Sequence, residues 1–219
     1  MKNFFNLDNP FMQFLNDLTD VVILNVICLV CCIPVVTIGA SLTALHYVTM
    51  KMVRGEGGYI VKDFFKSFRQ NFNQSTIIWI IFLLISLFFY VDYRIFQSNA
   101  GAFPKILEWM IYSLYLLVCL TMMYVFPVLS RFSNTIANTV KNAFFMSVLH
   151  VFKSILMVII YLIPYLILPL HATMTAVFLL AGIAGPAYLN SFIWKGILKK
   201  YEPKEEVQAE IGEESNGGM

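Results

Sequence analysis

The sequence predicts an all-α, polytopic membrane helix bundle of about five transmembrane helices, with amphipathic helices on its cytoplasmic side. Three observations lead there. Of 219 residues, 59% are hydrophobic and only 13% are charged, where an ordinary soluble domain carries about a quarter charged. The apolar residues are gathered into blocks that approach or reach the roughly 20 residues a helix needs to cross a hydrocarbon core of about 30 Å. Finally, most basic residues fall in alternate segments between these blocks. Lipid offers backbone amides no partner, so the blocks must be helices.

The expected spans are 18–38, 75–93, 107–130, 154–170 and 172–194. The fourth is the shortest and carries Pro164 and Pro169, and only Leu170, His171 and Ala172 divide it from the fifth. Those two are therefore either a tight hairpin or a pair that does not fully cross. Residues 1–200 form one membrane-embedded domain. Residues 201–219 set Lys204 against six glutamates and read as a disordered acidic tail, because such a composition cannot bury a core.

Five crossings place 39–74, 131–153 and 195–219 on one side with twelve Lys and Arg, against three on the other. Basic residues are retained in the cytoplasm. The expectation is a multi-pass protein of the plasma membrane with its N-terminus outside and its C-terminus cytoplasmic. The first span starts near residue 18 behind a single basic residue, Lys2, and is read as retained, since it is longer than a usual signal core.

Span one ends at Pro34, which disfavours helix in the preceding residue and lacks an amide donor. Thr37 can return a hydroxyl to a freed carbonyl, and Gly39 permits a turn or a close helix approach. Helix then resumes to Arg54, stopped by Gly55, Gly57 and Gly58. The plain reading is an exit elbow at the inner face. A substrate gate is the sharper one, but Pro34 lies about 16 residues into the span, too far from the midplane where broken transporter helices open.

Between spans one and two, Val61, Phe64, Phe65, Phe68 and Phe72 recur at helical spacing, with Lys62, Lys66, Arg69 and Gln70 opposite. This stripe either lies in the headgroup plane as an interfacial helix or packs on the other membrane helices. "FFKSFRQNF" at 64–72 and "FFMSVLHVF" at 144–152 share four of nine residues, the basis for an expected repeat, and a proline precedes each copy at Pro34 and Pro127.

No charge falls in the middle of any block. Asn25 and Asn190 are the most interior strongly polar side chains, expected to hydrogen-bond between helices. Cys28, Cys31 and Cys32 have apolar flanks and read as packing residues rather than redox or metal ligands. His46, His150 and His171 lack metal-ligand spacing, and no nucleophile elbow, P-loop, dinucleotide glycine motif or carboxylate pair is present. The chain is therefore expected not to be an enzyme and to need no catalytic residue, cofactor or metal. Nothing in it calls for nucleic acid.

"LNVICLVCCIPVVTIGASLTALHYV" (24–48) followed by "DFFKSFRQNFNQSTIIW" (63–79) resembles the YesL-like family of small integral membrane proteins of unassigned function. The residues that carry the resemblance are Asn25, then Pro34, Thr37 and Gly39, then Phe64, Phe68, Asn71 and Phe72. Residues 40–45, "ASLTAL", keep the family's small residues but not its second proline. Members are commonly encoded beside carbohydrate-uptake and polysaccharide-degradation genes in Gram-positive bacteria. The resemblance thus implies a role associated with carbohydrate uptake, with the lipid bilayer and subunits of a sugar transporter as partners. The expected function is that of an accessory or regulatory membrane component. The alternative is a small-solute transporter or channel acting as an oligomer.

Overall fold

The computed structural model describes residues 10–56, 58–98, 104–132, 134–167 and 178–201. Among them there is no strand. The helices are α1 (Pro10–Cys31), α2 (Ile38–Arg54), α3 (Ile60–Ser98), α4 (Lys105–Arg131), α5 (Ile136–Leu149), α6 (Val151–Ile167) and α7 (Ala184–Leu198). A 3-10 turn, Val35–Thr37, joins α1 to α2. Three of these, α1, α3 and α4, are each long and apolar enough to cross a membrane, and α5 with α6 makes a fourth candidate bent by 97°. The protein is an all-α, multi-pass membrane helix bundle.

Helix α1 stops at Cys31, three residues before Pro34, whose φ of −75° and ψ of 119° are extended. Thr37 Oγ1 donates to the Cys31 carbonyl at 2.5 Å and to the Pro34 carbonyl at 2.7 Å, recovering acceptors that the helix end leaves open. In place of an open elbow, the chain reverses here. Val21, Leu24 and Cys28 of α1 pack with Ala44, Leu45 and Val48 of α2, and Asp17 and Asp20 line one cavity with Lys51, Gly55 and Asp63. The start of α1 therefore lies beside the end of α2, and Asp17 and Lys51, expected on opposite sides, share one end of the bundle. Helix α2 ends as the glycines require, with Gly55 in the left-handed region at φ 74°.

Helix α2 is the central element and packs most extensively on α3. Their approach is close at Gly39, where an added Cβ would fall 2.6 Å from the Ser75 carbonyl oxygen and 2.8 Å from Trp79 Cβ. Trp79 Nε1 donates to the Val35 carbonyl at 2.8 Å, and Lys51 pairs with Asp63 at 2.8 Å. These contacts make α2 and α3 antiparallel along their shared length.

The aromatic stripe and the second span are one helix of 39 residues, about 58 Å at 1.5 Å per residue. No glycine or proline interrupts 60–98, so nothing turns the stripe into the headgroup plane. Phe64 is instead fully buried with Leu24, Leu45 and Val48, the packing alternative.

The second half of α3 and the first half of α4 form a hairpin with lipid-sized apolar residues outward, among them Leu84, Leu87, Phe88, Trp109 and Met110. Pro127 lies inside α4, which continues to Arg131. Its last turns, Tyr124, Val125, Val128 and Leu129, enter the second core cluster with Trp194 and Ile197 of α7.

The expected repeat has no structural counterpart, because 64–72 is uninterrupted helix whereas 144–152 contains the break at His150. The acidic tail from 202 onward, the His171 turn and residues 172–177 of the fifth expected span lie outside the described residues.

Lys195 Nζ approaches the Val53 carbonyl at 3.4 Å, which puts the end of α7 near the same end of the bundle as Asp17 and Lys51. Single cysteines replacing Asn16 and Lys199 should therefore react with a membrane-impermeant maleimide from the same side, and one replacing Lys105 from the other. Labelling of positions 16 and 199 from opposite sides would contradict the hairpin.

Candidate functional site

Asn25 of α1 is fully buried and faces the break in the helical chain just before α7. Residues 178–181 are helical, 182 and 183 form a turn, and α7 begins at Ala184. Such a break orphans carbonyls on one side and amides on the other. Asn25 satisfies both sets. Its Nδ2 donates to the carbonyls of Leu179 at 2.7 Å and Phe178 at 3.4 Å, and its Oδ1 accepts from the amides of Ile183 at 2.9 Å and Ala184 at 2.8 Å. The expected contact between helices is thus made to backbone, and no polar atom of this side chain is left for a solute.

Asn190 is also fully buried, but only half used. Its Nδ2 donates to the Met157 carbonyl of α6 at 3.4 Å, while its Oδ1 has no hydrogen-bond partner among the described residues. It belongs to a polar layer between α2, α6 and α7. There the Tyr161 hydroxyl meets His46 Nε2 at 3.2 Å, and Ser191 Oγ donates to Thr49 Oγ1 at 2.8 Å. His46 Nδ1 is buried without a partner among the described residues. Sequence reading placed His46 on a cytoplasmic-side helix without finding its partner, because Tyr161 is 115 positions away.

His46, on α2 rather than on a candidate span, has its pKa pushed down to about 4 by burial. It is therefore neutral at physiological pH.

Other singled-out residues divide between core and surface. Phe64, Phe68 and Phe72 stack in sequence, with ring centroids 6.2 and 5.5 Å apart. Phe64 is wholly buried and the other two half-buried, while Lys62, Phe65, Lys66, Arg69 and Gln70 are exposed. Asn71 Nδ2 donates to the Ser67 carbonyl at 3.1 Å, a local helix contact. Pro127 is buried, and its carbonyl accepts from Ser130 Oγ at 2.7 Å. Cys28 and Cys32 have their sulfurs 4.0 Å apart.

A cavity of about 220 Å³ lies where α1, α2 and α3 meet at the charged end, lined by Asp17, Asp20, Lys51, Glu56 and Asp63 among others. The Lys51–Asp63 bond that closes it holds the Lys51 ammonium above its ordinary pKa. Among the described residues no grouping of His, Cys, Asp and Glu is arranged to hold a metal ion.

Against known proteins, a family model described as "Protein of unknown function, DUF624" matches residues 21–93, which take in Asn25, the Pro34–Gly39 turn, α2 and most of α3. No curated protein matches the chain, and no solved structure does.

Two outcomes follow from this geometry. Asn25→Leu keeps the branched shape but orphans three backbone groups, the Leu179 carbonyl and the Ile183 and Ala184 amides, while the Phe178 carbonyl keeps the Gly182 amide; it should lower stability in detergent by about 3 kcal/mol or more, read as a fall in thermal midpoint, and an unchanged midpoint would contradict the bridging role. For His46, the unfolded chain takes up a proton near pH 6.5 and the folded one only near 4. Its contribution is therefore complete above 6.5 and is lost as pH falls through 4. The thermal midpoint of wild type should drop more steeply over that window than that of His46→Gln, and parallel curves would contradict it.

Proposed function

We propose that this protein is an accessory or regulatory component of the bacterial plasma membrane, associated with carbohydrate uptake, working through its surface rather than through a catalytic centre or an internal solute path. The observation that carries the reading is the uncovered basic face of α3. A helix of about 58 Å exceeds a hydrocarbon core of about 30 Å by nearly half its length, and Lys62, Lys66, Arg69 and exposed Phe65 lie on its first turns. Phe64 anchors that half in the core, so the cationic face is held rigidly outward. In span one, Asn25 and Thr37 are engaged by backbone, which favours a packed structural element over a polar path.

The basic end, with Lys51, Arg54, Lys62, Lys66, Arg69 and Lys195, is the cytoplasmic one by charge retention. This keeps the C-terminal end inside. It brings the start of α1 inside as well, in place of the external N-terminus expected from five crossings.

The family-model match at 21–93 coincides with the stretch that resembles the YesL-like family, and that coincidence supports the finer kinship and, through it, the carbohydrate association. Sugar-transporter subunits are the implied partners.

The second reading is a small-solute transporter or channel acting as an oligomer. Asn190 Oδ1 and His46 Nδ1, in the core and without a partner among the described residues, favour it.

Affinity capture from detergent extracts should enrich sugar-transporter subunits over a control membrane protein. The double substitution Lys66→Glu, Arg69→Glu should abolish the enrichment and lower sugar uptake. Capture of no transporter subunit, together with unchanged uptake, refutes the accessory reading. Sugar flux into liposomes holding only this protein would establish the second reading in its place.

A further inference from the structure

The end of the α3–α4 hairpin that lies away from the basic residues holds two adjoining cavities. The first, about 220 Å³, is walled by Ser86, Phe89, Tyr90, Tyr93, Tyr112 and Tyr115. The second, about 340 Å³, is lined by Tyr93, Arg94, Gln97 and Ser98, so Tyr93 is their common wall. Ring contacts hold the first open as a shaped groove, with Phe89 and Tyr115 centroids 5.0 Å apart and Tyr93 and Tyr112 6.4 Å apart. Gln97 Nε2 donates to the Tyr93 hydroxyl at 3.0 Å, which fixes the wall between the two.

The depth of the pair follows from its neighbours. Exposed Leu84 and Leu87 lie about two to three turns before Arg94 on α3, on the hydrocarbon side. Trp109 stands beside Tyr112, with centroids 6.5 Å apart. Tryptophan and tyrosine collect at the membrane–water interface. The aromatic groove thus opens at the acyl boundary and the Arg94 cavity at headgroup level. Arg94 is exposed, and among the described residues it has no ion-pair partner.

We propose that these two cavities form one binding site for a membrane lipid with an anionic phosphate headgroup, its chain against the tyrosine faces and its phosphate at the Arg94 guanidinium. An apolar groove that leads into a free cation matches the polarity of such a lipid end to end. Guanidinium presents paired donors in the geometry that phosphate oxygens accept. A glycan would stack on the tyrosines equally well but has no use for the uncompensated cation. The site needs only that the hairpin is in a bilayer and is independent of the accessory role.

The test uses the full chain in bilayer discs of phosphatidylcholine containing a minor share of phosphatidylglycerol, with co-extracted lipid counted by native mass spectrometry. Arg94 is exposed and outside both core clusters, so its variants fold. Wild type should retain phosphatidylglycerol in preference to phosphatidylcholine. Arg94→Gln should reduce that preference about fivefold, the effect of about 1 kcal/mol for one basic residue at a membrane surface. Arg94→Lys should largely restore it, and Lys141→Gln on α5 should leave it as in wild type. Equal retention in Arg94→Gln and wild type, or an equal loss in Lys141→Gln, overturns the site. Displacement of the lipid by a soluble oligosaccharide, or by inorganic phosphate at like concentration, overturns the lipid assignment.

Discussion

The bundle depends on one side chain closing a gap in another part of the chain. Where the helical residues 178–181 give way to α7, lipid and core alike offer nothing to the exposed amides and carbonyls, and an unpaired buried group is costly. Asn25 supplies acceptor and donor together. Because its partners are 153 to 159 residues away in sequence, the same bonds lock the first helix to the last. The polar layer of α2, α6 and α7 then assembles on a backbone whose path is already set, with Ser191 reaching Thr49 and Tyr161 reaching His46.

A second constraint is steric. Gly39 lets α2 approach the α3 backbone so closely that any side chain would overlap it. This approach brings Trp79 to the Val35 carbonyl and allows a short helix with a small-residue face to become the middle of the molecule. The reversal at Pro34–Thr37 serves both constraints, since it turns α1 back along α2 and holds Asn25 level with the start of α7.

Local chemistry was legible in the sequence. Proline ended α1 nearby, Thr37 capped a freed carbonyl, Gly55 stopped α2, and Asn25 stood out as polar within an apolar block. What the sequence did not disclose was pairing at long range. Asn25 has the same appearance whether its partner is a side chain or a broken helix. The packing of α2 back along α1 was not foreseen, because charge counting treats 39–74 as a loop between crossings, and α2 is too short and too polar to declare itself. The length of α3 was available, since nothing between 60 and 98 breaks helix, but the change from basic-aromatic to apolar composition at Ser75 suggested two elements. The candidate lipid cavities draw on Tyr93, Arg94 and Tyr112, and no spacing rule links residues that face each other across two antiparallel helices.

The unbroken α3 also has a mechanical consequence. A rod that spans hydrocarbon and continues for nearly as far beyond it is a lever whose pivot lies where it leaves the hydrocarbon, and its far half moves together with α2, to which the Gly39–Ser75 approach and the Lys51–Asp63 pair fasten it. When the bilayer thins or thickens, spanning helices adjust their inclination, and a change of about 10° moves a tip about 28 Å from the pivot by about 5 Å, one helical turn. The cationic turns at that tip would therefore register the thickness and tension of the surrounding leaflets as a displacement.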